Sequence, residues 1–133
     1  MRVIVDTSIW SLALRRNTPD DALDIINHFR DLITDGRVVL LGAIRQEILS
    51  GIRHLEQFTR LRDHLRAFPN LELNIADYEL AAEFFNTCRS NGVQGSNTDF
   101  LICAAAAANR NYSIFTTDKD FEHFQTHIHI VLL

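Results

Sequence analysis

The sequence predicts a three-layer α/β/α fold whose central sheet is mostly parallel and has four or five strands. Short apolar runs rich in β-branched residues alternate with longer segments whose apolar residues recur at the helical period. Helices between successive strands indicate parallel connections, which cover both faces of a sheet. With 133 residues and a 47% hydrophobic share, the chain is expected to form a single domain, residues 1–133, with its own core.

The first quarter of the chain contains a strand and two helices. Residues 2–6 form a short apolar run typical of a buried strand, and residues 7–14 follow as a helix. Thr18-Pro19-Asp20-Asp21 predicts a second helix start, with a hydroxyl cap, a proline and two acids in the first turn. Apolar residues then recur at the helical period until Asp35-Gly36 ends the helix.

The remaining elements follow from the same signals. Pro69 stops one helix and the Asn91-Gly92 turn stops another. Residues 98–109 are apolar nearly all round, which indicates a buried helix. The predicted strands are 38–41, 71–73, 113–116 and 128–133, and the predicted helices are 43–51, 55–68, 76–89, 98–109 and 119–125.

Composition argues against several classes of protein. No window has the roughly 18 unbroken apolar residues of a membrane span, and the N-terminus lacks a signal-peptide pattern. Cys88 and Cys103 fall in predicted helices, so we interpret them as reduced core thiols of a cytoplasmic protein. The net charge of −4 argues weakly against a passive nucleic-acid binder, but 12 of the 13 basic residues are arginines, which suit phosphate contacts.

Four acidic residues occupy positions where an open α/β sheet gathers function. Asp6 closes the first strand, Asp118 follows the strand 113–116, and Asp99 opens the buried helix. Glu47 interrupts the apolar stripe of a short helix. The carboxyl ends of parallel strands meet at one edge, and carboxylates that converge there need a cation or a proton. Oxygen ligands without cysteine or histidine favour Mg²⁺ or Mn²⁺, which could activate water against a phosphodiester.

Each of these acids also has a structural explanation. Asp6 could cap the following helix, and Asp99 could be a first-turn residue that the helix dipole favours. Asp118 could be a turn residue or a cap before the next helix. Glu47 could form a salt bridge with an arginine. It is expected to lie among apolar neighbours, where an unpaired carboxylate is costly.

The motifs that contain these acids resemble those of PIN-domain nucleases. In chain order they are Val5-Asp6-Thr7-Ser8, Gln46-Glu47-Ile48-Leu49-Ser50-Gly51, Thr98-Asp99-Phe100-Leu101-Ile102-Cys103-Ala104-Ala105 and Thr116-Thr117-Asp118-Lys119-Asp120-Phe121. Their order, their spacing and the chain length are similar to those of the VapC toxins of bacterial and archaeal toxin–antitoxin pairs. The resemblance covers essentially the whole chain. One departure is Cys103, where alanine is more usual, and we expect it to affect packing only.

The resemblance implies an Mg²⁺- or Mn²⁺-dependent endoribonuclease, the toxin of a type II toxin–antitoxin system. It places Asp6, Glu47 and Asp99 among the metal-ligating acids and Asp118 as the fourth acid, with Asp120 secondary. The hydroxyls expected to line the pocket are those of Thr7, Ser8 and Thr116. The resemblance further implies a homodimer, and an antitoxin whose C-terminal segment wraps the toxin and blocks the acidic pocket. The helices 22–33 and 55–68 could form a groove for a partner helix, although ordinary core packing explains most of their apolar residues.

Other residues are weaker candidates. Arg15 and Arg16 follow the first helix, and Arg45 and Arg53 flank Glu47, so each could contact phosphate or simply be solvated. Trp10 could stack on a base but is more typical of a core residue. Two groups are assigned no site: the solvent-facing arginines Arg60, Arg62 and Arg66, and the surface histidines His123, His127 and His129.

Three competing functions remain. A phosphatase that forms an aspartyl-phosphate at Asp6 would place a second acid two residues later, where Ser8 stands. A phospho-switch of the receiver type would need a buried lysine, but Lys119, the only lysine, falls in a predicted turn. A PIN domain that only binds would be expected to lack one of the acids, and all four are present. The sequence does not name the RNA that would be cleaved.

Overall fold

The computed structural model describes residues 1–107 and 110–133, and its strands form one parallel sheet. The strands are β1 (Val3–Val5), β2 (Val38–Leu41), β3 (Asn70–Leu71), β4 (Ser113–Phe115) and β5 (Val131–Leu132). Their order across the sheet is β3-β2-β1-β4-β5, and each pair of neighbours is parallel. The predicted parallel sheet is therefore confirmed, with β1 at its centre.

The helices form two groups. They are α1 (Thr7–Ala13), α2 (Leu23–Thr34), α3 (Gly42–Leu49), α4 (Leu55–Leu65), α5 (Ile75–Ser90), α6 (Asn97–Ala107) and α7 (Asp120–His127). Helix α1 contacts α2 and α3, and α3 contacts α4, whereas α5 contacts α6 and α7. The chain moves outward from β1 to β3 and then returns to β4 on the other side of β1. With right-handed crossovers, this reversal puts the two groups on opposite faces, which gives three layers.

Several predicted boundaries were wrong at the edges of the sheet. The third strand is Asn70–Leu71, not residues 71–73, because it pairs only with Leu40 and Leu41 at the end of β2. The last strand covers Val131–Leu132, not 128–133, because β5 pairs only with the three-residue β4. A 3-10 turn, Asp20–Ala22, precedes α2; its N-cap is Pro19, and no side chain caps it. The last two residues of the predicted helix 98–109 lie outside the described residues.

The core lies on both sides of the central strands. All of β1 is buried, and α6 buries Phe100, Ile102 and the small residues 103–106 against β1 and β4. Trp10 packs edge-on against Phe29 and Phe68, with ring centroids 4.9 and 5.3 Å apart, which confirms its core role. Cys88 and Cys103 are free and buried, as expected. In the part of the chain that is described, none of the helices has the length and apolar character needed to cross a membrane.

One buried ion pair joins the second group of helices. Asp77, in the first turn of α5, is 2% exposed and accepts hydrogen bonds at 2.9 and 3.0 Å from both terminal nitrogens of Arg110. Arg110 also donates to the Ala105 carbonyl near the end of α6, at 3.1 Å. The Arg110 hydrogen bond lowers the pKa of Asp77; burial opposes this, and a bond from the Asn74 N–H in the α5 capping box adds to it. The pair thus fixes α5 against α6, and sequence analysis missed it.

We expect Asp77→Ala to lower the free energy of unfolding by about 3–5 kcal/mol, because it leaves the Arg110 charge partly buried without its partner. The matched control is Asp63→Ala, which removes an exposed pair with Arg62 and should cost no more than about 1 kcal/mol. Urea unfolding measures both changes.

The stabilisation that Asp77 provides depends on pH in a definite direction. Because the folded pKa of Asp77 is lowered, its stabilisation is full above the ordinary value of 3.8 and is lost as the pH falls through the folded pKa. Equal losses of stability in the Asp77 and Asp63 variants at neutral pH would show that the buried pair has no special role.

Candidate active site

The carboxyl ends of β1 and β4 place two polar segments side by side. Val5 pairs with Phe115, and the Asp6 N–H donates to the Phe115 carbonyl at 2.9 Å. Asp6 and Thr116 therefore leave the sheet together. This is also where the chain order of the strands reverses, the position where open α/β sheets form a crevice.

The Asp6 carboxylate is buried, with 7% of the residue exposed, and it faces the end of β4. Its Oδ2 accepts hydrogen bonds from Ser8 Oγ at 2.9 Å and from Thr116 Oγ1 at 2.8 Å. Asp6 is the N-cap residue of α1, but its side chain makes no capping hydrogen bond. Helix capping therefore does not explain this acid.

The two hydroxyls also hold the strand ends together. Ser8 Oγ accepts from the Thr117 N–H at 3.1 Å, and Thr116 Oγ1 accepts from the Asp118 N–H at 2.9 Å. Since both hydroxyl protons are donated to Asp6, each oxygen acts as the acceptor in its second bond. The carboxylate and the backbone after β4 thus form one hydrogen-bonded unit.

Asp99 lies half-buried in the first turn of α6. Its Oδ2 accepts from the Ser96 N–H, and its own N–H donates to Ser96 Oγ, both at 3.0 Å. This is a capping box, and the Ser-x-x-Asp pattern in the sequence could have revealed it. Burial raises the pKa of Asp99, the Ser96 hydrogen bonds oppose this, and the negative charges of Asp6 and Asp118 raise it further. Asp99 is therefore close enough to Asp6 and to Asp118 for their charges to act on it.

Gly95 sets the path of the chain into this capping box. A Cβ atom at this position would lie 2.5 Å from Cζ of Phe124 and 3.0 Å from the Phe100 ring. Both rings are buried, so they have little room to move. The glycine thus lets the loop before Ser96 lie directly on the core.

Asp118 and Asp120 stand at the start of α7. Asp118 Oδ1 accepts from the Asp120 N–H at 2.9 Å, so this carboxylate also begins a helix, as the structural explanation proposed. Asp118 is half-buried and faces Asp99 closely enough to raise its pKa, whereas Asp120 is exposed. This difference favours Asp118 over Asp120 as the group nearer the other acids.

Glu47 does not lie within the apolar stripe of its helix, as the sequence had suggested. It is exposed, whereas Ile44 and Ile48 are buried, so it stands at the edge of the stripe, beside α1. Its Oε2 accepts a hydrogen bond of 2.7 Å from Thr7 Oγ1. Among the described residues no arginine forms a salt bridge with Glu47, so the structural explanation of this acid is wrong there.

The four acids share one feature. Each has one carboxylate oxygen held by the protein: Asp6 Oδ2, Glu47 Oε2, Asp99 Oδ2 and Asp118 Oδ1. The second oxygen of each accepts no hydrogen bond from residues 1–107 or 110–133. Carboxylates with free oxygens suit a hard divalent cation, so the residues fit the expected metal by their chemistry.

The acids do not yet surround a common point. Within the described ranges, no three aspartate, glutamate, histidine or cysteine side chains are arranged to hold a metal ion. His123 and His129 are exposed and His127 is half-buried.

The weaker candidates are not all near the acids. Arg15 lines a groove together with Thr7 and Glu47. Arg16 is exposed and Arg45 is half-buried, and neither makes an ion pair in the described part of the chain. The geometry thus keeps Arg15 as a candidate contact for substrate and gives no support to the other two.

Comparisons with known proteins identify the fold. The family model that describes the PIN domain matches residues 3–126. A solved structure of VapBC2 from Rickettsia felis, bound to a DNA fragment from their promoter, is 19% identical with a TM-score of 0.77, covering 100% of this chain and 98% of that chain. FitAcB from Neisseria gonorrhoeae is 15% identical with a TM-score of 0.72, covering 98% and 96%. No curated protein sequence gives a significant match.

We expect Asp99→Asn to melt at or above the temperature of the wild type when EDTA removes metal. The substitution keeps the shape of the side chain and removes a charge that burial and neighbouring acids destabilise. Because the folded pKa is raised, the wild-type penalty grows as the pH rises from the ordinary value of 3.8 through the folded pKa, and it persists above that.

Thermal melting at several pH values measures this difference, with exposed Asp31→Asn as the matched control. Added Mg²⁺ should raise the melting temperature of the wild type more than that of Asp99→Asn. A variant less stable than the wild type in EDTA would contradict the clustering of charge.

Proposed function

We propose a nuclease function from one premise: the chain belongs to the PIN domain family, whose model covers residues 3–126 of its 133. Members of this family are nucleases that generally depend on a divalent metal. The finer proposal is an Mg²⁺- or Mn²⁺-dependent endoribonuclease that acts as the toxin of a type II toxin–antitoxin system. One observation supports it: Asp6 and Asp118 follow β1 and β4, their charges help to raise the pKa of Asp99 at the start of α6, and each of the three acids has a carboxylate oxygen that accepts no hydrogen bond from the described residues.

The residues have distinct roles in this proposal. Asp6, Asp99 and Asp118 would hold the ion through their free oxygens. A bound divalent cation supplies neutralisation of the phosphodiester charge and makes water easier to deprotonate. Glu47 is the fourth carboxylate, which Thr7 orients so that Oε1 stays free to ligate or to accept a proton.

Neighbouring groups keep these acids in place. Ser8 and Thr116 fix the orientation of Asp6 by donating to its Oδ2. Their bonds to the backbone of Thr117 and Asp118 fix its distance from the end of β4. Asp120, exposed in the first turn of α7, is a secondary acid that could orient water. Such outer contacts support both metal affinity and activity.

The competing phosphoryl-transfer functions lack their own residues here. Position 8, where a phosphatase would have a second acid, holds a serine that donates to Asp6. The only lysine, Lys119, is exposed at the start of α7, whereas a receiver-type switch needs a buried one. These observations favour the nuclease.

An antitoxin partner is part of the proposal. Two observations support an antitoxin partner. The fold is similar to that of the solved VapBC2 structure, and the sequence motifs resemble those of VapC toxins. The groove suggested between α2 and α4 is weakly supported, because Ile26, Phe29, Leu32 and Leu65 all belong to the core. The partner would instead act by covering the acidic pocket. The free, buried thiols of Cys88 and Cys103 suit the proposed cytoplasmic location.

We expect Asp6→Ala and Asp99→Asn each to lower the rate of RNA cleavage with Mg²⁺ by at least about a hundredfold, since even the loss of an outer contact costs 10–100-fold. The matched control is Asp63→Ala, which removes an exposed carboxylate elsewhere. The measurement is gel analysis of labelled RNA, with circular dichroism to check folding. Full activity of either active-site variant with Mn²⁺ would refute the assignment.

The same variants test the toxin role in cells. Induction of the wild type without an antitoxin should arrest growth, and induction of folded Asp99→Asn should not. Sequencing RNA ends shortly after induction would identify the target. If the wild type cleaves RNA in vitro but its induction leaves growth unchanged, the nuclease proposal stands and the toxin proposal is wrong.

A homodimer is also proposed, through an apolar surface that we name the α5–α6 patch. It consists of Tyr78, Ala81, Ala82, Phe85 and Leu101 around a groove of about 420 Å³. Tyr78 is 57% exposed, and among the described residues none that lines the groove is charged. The polar lining residues are Asn86, Asn97 and Thr98. Neighbouring apolar side chains without charges at their centre are typical of homodimer interfaces. The patch lies beside the start of α6, so a second copy would bring two acidic sites close together.

We expect Ala82→Glu to convert dimers to monomers, because it places an unpaired charge in the middle of the α5–α6 patch. The control is Glu83→Lys, which changes the charge of an exposed neighbour outside the patch. Sedimentation at micromolar concentration measures the state of association. A wild-type chain that sediments as the 15.2-kDa monomer would rule out this interface.

A further inference from the structure

A second groove begins at the hydrogen bond between Thr7 and Glu47. It has a volume of about 540 Å³, within the range of small-ligand sites, and runs between α1, α3 and α4. We name it the α1–α4 groove. Its apolar side chains are Leu14, Ile48, Ile52 and Leu61, and its basic side chains are Arg15, Arg60 and His64.

The charge of this groove is opposite to that of the acidic site. Among the described lining residues Glu47 is the only acid, and it accepts a hydrogen bond from Thr7, the residue that follows Asp6. Arg15 is exposed and has no ion pair within residues 1–107 and 110–133. Arg60 meets Glu56 at 3.7 Å, with the two side chains 69% and 90% exposed, so water screens that pair. Both guanidinium groups are therefore available to an anion.

We propose that the α1–α4 groove binds the single-stranded RNA segment on one side of the scissile bond. Arg15 and Arg60 contact its phosphates, and a nucleobase lies on the apolar floor formed by Ile48 and Leu61. This rests on the proposed nuclease function and adds the path of the substrate. Neither Arg60 nor His64 was assigned a role from the sequence.

The electrostatics of the site favour this path. A phosphodiester strand that approaches Asp6, Asp99 and Asp118 is repelled unless cations flank the acids. The guanidinium fork binds phosphate oxygens in pairs, which fixes the strand as well as attracting it. Unstacked bases of single-stranded RNA bind apolar and aromatic surfaces, and the floor beside Glu47 supplies one. The groove thus offers both kinds of interaction next to the reacting position.

The test compares two double variants that each remove two arginines. R15A/R60A empties the groove of guanidinium groups, and R62A/R66A removes two other α4-side arginines, which pair with Asp63. Both are made in the Asp99→Asn background, so that RNA is bound and not cleaved. The probe is a labelled single-stranded RNA of roughly 16 nucleotides, with affinity measured by anisotropy over a range of KCl concentrations.

We expect R15A/R60A to reduce the slope of log Kobs against log[KCl] by about 1.4, because each phosphate that an arginine neutralises on a single strand contributes about 0.7 to the slope. R62A/R66A should leave the slope unchanged. In the active background, R15A/R60A should also lower kcat/KM for the same RNA relative to R62A/R66A.

Equal slopes and equal kcat/KM values in the two double variants would overturn the proposal. A groove that receives a peptide of a partner protein, and not RNA, would give this outcome. Absence of cleavage by the wild type would refute the nuclease function separately, because the binding slopes do not depend on catalysis.

Discussion

The site depends on a buried carboxylate that the protein does not neutralise. Asp6 lies at the end of the central strand, and its partners in the described residues are hydroxyls, not cations. Hydroxyls orient a carboxylate and offset part of its desolvation, but they leave its charge in place. In the proposed function this charge would be balanced by a cation, and Ser8 and Thr116 would determine where that cation meets the end of β4.

The fold contains a second buried carboxylate, Asp77, whose charge is balanced by an arginine. Asp77 has both oxygens bound by Arg110, and its pKa is lowered, whereas the pKa of Asp99 is raised by burial and by other acids. The first arrangement is complete within the protein and joins α5 to α6. The second has no basic partner within residues 1–107 and 110–133. This contrast distinguishes the structural acid from the acids proposed for the site more clearly than burial alone.

Two of the acids proposed for the site also stabilise the starts of helices. Asp99 closes a capping box with Ser96, and Asp118 accepts the first N–H of α7. One oxygen of each carboxylate is used for structure, and the other is left free. Helix starts therefore fix the positions of the oxygens that are proposed to bind metal, and the structural explanation of these two residues is compatible with the proposed one.

The sequence by itself determined the parallel α/β fold, the buried helix α6 and the positions of the acids along the chain. These follow from apolar periods and runs, which are local properties. Only the tertiary structure decided that Glu47 is exposed beside Thr7, that Arg110 reaches Asp77, and that Arg60 shares a groove with Arg15. Each of these joins residues on different elements, and their separation depends on helix packing, which local periodicity does not specify.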